Sequence, residues 1–172
     1  LRHHTREYTV YDYIPGDVVD SKAANQLSDA DAEQLGTDLG AFLAQLHDAD
    51  PEIVEQKMTK QTMSLLDYYK DRITQGESSE FYETACQDLA VIADHPATDH
   101  VVVHGDLHGL NIVINPASKQ LVGIIDFSEL EIGDPHQDFR KLFMTDERLL
   151  APSIKAYQQH TGKALSEAIA KA

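Results

Sequence analysis

The stretch that decides the fold is "VVVHGDLHGLNIVI", residues 101–114. Its two β-branched runs, "VVV" and "NIVI", read as short strands that favour burial. Between them lie His104, Asp106, His108 and Asn111. Polar groups flanked by buried segments must either be paired within the protein or be given a ligand.

Immediately downstream, "NPASKQ" has turn chemistry and "QLVGIID" is a third strand-like run that ends at Asp126. A carboxylate closing an apolar strand is expected to have lost much of its water, so it needs a partner or a cation. Asn111 offers a neutral oxygen and Asp126 a charged one. Such a pair suits Mg²⁺, which takes a few protein oxygens and completes its shell with substrate phosphates. Asp106 is then left to accept a proton from an attacking hydroxyl. An Asp-x-x-x-x-Asn element followed by a strand ending in Asp-Phe is the arrangement used for phosphoryl transfer in kinases.

Further out, the chain reads as mainly helical. "LSDADAEQLGTDLGAFLAQLHDADP" places Leu35, Leu39, Phe42, Leu43 and Leu46 on one helical face, with Ser28 as the N-cap and Pro51 as the stop. Helices are also expected around 61–75 and 79–94, separated by "QGESS", and again near 136–145 and 146–160. "REYTVYDYI", 6–14, alternates like a strand, and Pro15-Gly16 reads as its end. No sequential partner for that strand is evident. The expected class is α+β, mainly helical, with a small β insert that carries the polar cluster.

Composition narrows the function classes. The 172 residues carry a net charge of -15 with a sequence pI near 4.8. That balance repels nucleic-acid phosphates and anionic membranes and favours cationic or metal-bound partners. Cys86 is the only cysteine, which excludes an intrachain disulfide and a Cys-based zinc site. No apolar run is long enough to span a bilayer and no signal peptide opens the sequence, so a cytoplasmic protein is expected.

"HGDLHGLN" followed by "IIDFSELEIGDPHQDF" closely resembles the catalytic segment of the aminoglycoside phosphotransferase and choline kinase-like family, small-molecule relatives of protein kinases. The likeness is tight over 104–143 and extends loosely back to "YDYIPG". It implies that Asp106 is the catalytic base, with His104 and Asp138 supporting its loop. Asn111 and Asp126 would be the ligands of Mg²⁺, with ATP as the phosphoryl donor. His108 is expected to be structural, bonding backbone near the loop. Tyr13 and Ile14 would lie at the hinge that meets the adenine. Residues 1–16 then correspond to the last strand and hinge of an N-terminal lobe, and 17–172 to a protein kinase-like C-terminal lobe. Glu129, Glu131 and Asp134 cluster after the Asp126 strand and suggest a small-molecule alcohol that bears an amine.

The resemblance is incomplete. The glycines are scattered, so neither a Gly-rich flap nor a phosphate-gripping Val-Ala-Ile-Lys strand is present. The chain is therefore expected to be a C-lobe whose N-terminal lobe is absent, and to transfer phosphate very poorly by itself. A second possibility is a non-catalytic binding module or degenerate C-lobe. A third is a metallophosphoesterase, in which "GDLHG" would hold a metal through Asp106 and His108.

Overall fold

The structure is a computed structural model and describes residues 12–52 and 100–171. The helices expected around 61–75 and 79–94, Cys86, and residues 6–11 of the expected first strand lie outside those residues.

The elements run β1 (Asp17–Val18), α1 (Ser21–Ala24), α2 (Asp29–Leu46), β2 (Val101–Val103), β3 (Ile112–Ile114), β4 (Leu121–Ile124), β5 (Glu131–Gly133), α3 (His136–Thr145), α4 (Leu150–Thr161) and α5 (Glu167–Lys171). Single 3₁₀ turns at Gly109–Asn111, Phe127–Glu129 and Glu147–Leu149 link several of them. The described residues are helical with two small antiparallel sheets, one ordered β1-β3-β4 and the other β2-β5.

Helix α2 begins where its sequence says it should. The Ser28 hydroxyl oxygen accepts the Asp31 N–H, and the Asp31 carboxylate accepts the Ser28 N–H, closing a capping box. The helix ends at Leu46, before Pro51 is reached, and the His47 N–H caps the Leu43 carbonyl. Leu35, Leu39 and Leu43 are fully buried, while Phe42 and Leu46 pack at the edge of the same core. Each fully buried leucine contributes roughly 1.5–3 kcal/mol through removal from water. Helix α4 lies directly against this face, and a side chain at Gly40 would collide with the Ser153 carbonyl. Gly40 therefore sets how closely the two helices approach.

Two expectations change. Residues 12–14 are not in a strand, and Pro15-Gly16 leads into the short strand β1 instead of ending one. β1 pairs with β3: Asp17 faces Ile114 and Val18 faces Val113. The Val19 N–H also donates to the Gly109 carbonyl at 2.9 Å, fastening this segment beside the catalytic-loop motif. Finally, "LVGIID" is not a buried run. Among the described residues β4 is an edge strand of its sheet, Val122 is exposed, and the Asp126 residue is exposed to solvent. The two strands flanking the polar cluster, β2 and β3, are buried throughout.

Candidate active site

The loop from His104 to His108 leaves β2 and is held from beneath by Asp138, near the start of α3. The Asp138 carboxylate is fully buried and accepts the His104 N–H at 2.9 Å and the Gly105 N–H at 3.0 Å. His47 Nε2 lies 3.1 Å from the same carboxylate, and His47 Nδ1 lies 3.2 Å from the Tyr157 hydroxyl. A carboxylate only accepts, so Nε2 carries the proton; in the neutral ring Nδ1 then accepts the tyrosine O–H. Burial, and after it the Asp138 and Asp48 charges, pushes the Tyr157 hydroxyl up to about 12, which keeps it protonated as a donor. One buried aspartate thus joins α2, α3, α4 and the loop.

A second brace is the His104 ring. Its Nε2–H donates to the Ile125 carbonyl at 3.1 Å, which leaves Nδ1 to accept the Asp106 N–H at 3.3 Å. The ring packs on Phe127, with centroids 4.7 Å apart. Gly105 between them has φ +79, and a side chain there would strike the Glu129 carbonyl. Only glycine takes that conformation at no steric cost while the 3₁₀ turn after Asp126 lies so close.

Above these braces, one oxygen of Asp106 accepts a lysine hydrogen bond and the other lies near a histidine. Lys141 Nζ is 3.1 Å from Oδ1, and His108 Nε2 is 3.2 Å from Oδ2. His108 Nδ1 accepts the Leu110 N–H at 3.2 Å, which leaves the ring proton on Nε2, close to Asp106 Oδ2 but not aimed at it as a hydrogen bond. Asn111 is buried, and its Nδ2 donates to the Asp106 carbonyl at 2.8 Å. That bond orients the side-chain amide and leaves Oδ1 as the end available to another group. The Ile125 N–H donates to the Asn111 carbonyl at 3.0 Å, and Ile112 faces Ile124 in the β3–β4 register. Asn111 and Asp126 therefore stand at adjoining ends of paired strands.

Asp126 has φ 61 and ψ 69, a left-handed conformation that few non-glycine residues adopt. Its carboxyl is held below the ordinary range, chiefly by hydrogen bonding with Ser128, whose N–H lies 3.4 Å from Oδ1. An exposed, ionised carboxylate and an amide oxygen at adjoining strand ends are the donor types that suit a hard cation keeping most of its shell for water and phosphate. Backbone strain at such a position is the kind of cost found where a ligand is bound.

The remaining expected residues are distributed as follows. Tyr13 is 83% exposed, and Ile14 lies against Gly123 of β4. Glu129 closes the 3₁₀ turn that lies on Gly105, and Glu131 is paired with Val103 across the β2–β5 ladder. Asp134 Oδ1 bonds the His136 N–H at 2.8 Å and His136 Nδ1 at 2.7 Å, while His136 Nε2 accepts the Ser166 N–H at 3.1 Å. Asp134 thus orients a histidine that anchors the chain leading into α5. Reading the sequence missed Lys141, His47 and Tyr157. The one available signal was the three-residue spacing of Asp138 and Lys141, which puts them on one side of α3. A groove of about 620 Å³ between α2 and α4, lined by Asp29, Glu33, Arg148 and Lys155 among others, includes none of these residues.

The architecture is that of the aminoglycoside phosphotransferases, which have a protein kinase-like fold. The structure of the GDP complex of wild-type aminoglycoside 2'-phosphotransferase-IIIa superposes with a TM-score of 0.73 at 21% identity, over 94% of this chain and 57% of that one. Macrolide 2'-phosphotransferase type I superposes with a TM-score of 0.66 at 22% identity, over 83% and 49%. In sequence, the streptomycin 3''-kinase of Streptomyces griseus is 42% identical over 55 residues, 32% of this chain and 20% of that protein. The chain spans about half the length of these structural relatives and a fifth of the curated one. The profile of the phosphotransferase enzyme family matches residues 1–170, and the chain belongs to that family.

Proposed function

We propose that these residues form the catalytic half of a phosphotransferase that moves the γ-phosphate of ATP to a hydroxyl of a small molecule. The reading is carried by the two bonds through Asn111: its Nδ2 to the Asp106 carbonyl, and its own carbonyl to the Ile125 N–H. They hold a candidate base and two candidate oxygen ligands in one frame across paired strands.

In this reading Asp106 accepts the proton of the acceptor hydroxyl as the oxygen attacks phosphorus. His104 and Asp138 keep the loop from moving. Asn111 Oδ1 and the Asp126 carboxylate would hold Mg²⁺, which supplies charge neutralisation to the phosphate oxygens. Residues 1–16 are assigned to the hinge side of an N-terminal lobe, with the backbone of Tyr13 and Ile14 toward the adenine, and 17–172 to the C-terminal lobe. In kinases the phosphates are gripped by a Gly-rich flap and a lysine strand, and neither motif is recognisable in this sequence. Use of ATP fits a cytoplasmic protein.

The acceptor is an alcohol, and the acidic residues beside the loop favour one that carries an amine. Asp134 no longer supports that argument, since it holds His136. Glu129 and Glu131 still flank the loop. The metallophosphoesterase alternative is disfavoured by His108, whose two nitrogens face the Leu110 N–H and Asp106. Among the described residues, no three His, Cys, Asp or Glu side chains gather as a metal cage.

The test is transfer of labelled γ-phosphate from ATP by the full-length protein to a panel of alcohols. Asp106→Asn should lower turnover by about 10²–10⁴-fold, the usual worth of a general base, with an unchanged melting temperature. Metal-dependent hydrolysis of p-nitrophenyl phosphate without transfer to any alcohol would contradict the proposal.

A further inference from the structure

We infer that Lys141 is a positioning and specificity-determining residue of the acceptor side: it fixes the base and disfavours an ammonium group next to the reacting hydroxyl. The inference rests on the phosphotransferase reading and adds a restriction to it.

Lys141 Nζ lies 3.1 Å from Asp106 Oδ1, and the side chains are 37% and 32% exposed. The pair is therefore partly exposed to solvent. Helix α3 gives the lysine its direction. Asp138 and Lys141 are three residues apart on that helix, so the element that braces the loop from beneath also delivers a cation to the base. Lys141 donates to Oδ1 while His108 Nε2 lies 3.2 Å from Oδ2, so the carboxylate is restrained chiefly by the lysine. A base fixed in this way is already placed for an incoming hydroxyl, which is where transfer chemistry gains most of its rate.

The charges at this point set the selectivity. His108 is the neutral tautomer because its Nδ1 accepts a backbone N–H. Asp106 and Lys141 therefore offset each other, and the spot nearest the reacting hydroxyl has no net negative charge to attract an amine. Lys141 retains two N–H groups beyond the one directed at Asp106. These can meet a neutral or anionic oxygen on the carbon next to the acceptor hydroxyl. An ammonium there would face a like charge at contact distance, where repulsion is strong. An amine drawn by Glu129 or Glu131 is accommodated only farther along the acceptor. Neither glutamate is without a partner in the protein, so their attraction is already moderated.

The experiment uses the full-length protein and two matched acceptors, a vicinal diol and the corresponding vicinal amino alcohol. Both are assayed with wild type, Lys141→Met, Lys141→Arg and Asp106→Asn. The expected pattern has four parts. Wild type prefers the diol by at least tenfold in kcat/KM. Lys141→Met lowers kcat for the diol about 10–100-fold, leaves the KM for ATP within twofold and erases the preference. Lys141→Arg restores most of both. The melting temperatures stay within 2 °C of wild type. If Asp106→Asn abolishes transfer but Lys141→Met keeps wild-type kcat and selectivity, the inference fails and the phosphotransferase reading survives. Loss of activity in Lys141→Met with the preference intact, or without rescue by arginine, also overturns it. If wild type transfers to no alcohol, or Asp106→Asn turns over like wild type, the underlying reading fails and this one with it.

Discussion

Asp138 and Asp126 carry the same carboxylate twelve residues apart, and the fold treats them in opposite ways. Asp138 is fully buried, with two backbone N–H groups and His47 around it. Asp126 is exposed, has a left-handed backbone and makes one long bond with Ser128. A carboxylate whose acceptor sites are filled from three directions has little capacity for a ligand and serves the structure. One held ionised and open in a left-handed backbone keeps its acceptor capacity for a ligand, as the proposed metal role requires. The contrast separates the brace of the site from its working face, although both residues belong to one continuous motif.

Asp138→Ala breaks the brace and should have the largest effect on stability. It leaves two loop N–H groups and a buried histidine without their acceptor, a change that costs about 3–5 kcal/mol. For a chain of this size the melting temperature should fall by on the order of 10 °C, readable by thermal denaturation. A drop below about 2 °C would mean that the buried hub does not hold the loop.

A smaller effect sharpens the comparison at a third aspartate. Burial raises the Asp146 carboxyl, but hydrogen bonds and charge from Arg148 outweigh it and hold it below the ordinary range. Its unfolded value is about 3.9, so its stabilisation is complete above roughly pH 4 and disappears as the pH falls through the folded value. Melting curves of wild type and Asp146→Asn should therefore differ most at neutral pH and converge in acid. Curves that separate as the pH falls would reverse the sign.

The catalytic-loop motif was legible because its polar residues sit between two strands within fourteen positions. Ser28 and the α2 stripe were legible for a similar reason, since capping and helical periodicity are local. The hub was not, because His47 meets Asp138 and Tyr157 across 91 and 110 positions. Lys141 meets Asp106 across 35. No local pattern encodes such pairs. The exposure of Asp126 was misread because an apolar run does not say whether its strand is central or lies at the edge of a sheet. β5 was not legible because "EIG" is only three residues long and its pairing with Val101–Val103 spans about thirty positions.

The most direct test of the working face is Mg²⁺-dependent binding of a non-hydrolysable ATP analogue to the full-length protein, by calorimetry, for wild type and Asp126→Asn. Asparagine tolerates the left-handed conformation, so the backbone is retained and only the charge is lost. The account predicts an unchanged melting temperature, binding that Mg²⁺ strengthens in wild type, and at least a tenfold loss of that Mg²⁺-dependent part in the variant. Equal Mg²⁺-dependent affinity in both proteins would contradict it and place the cation elsewhere.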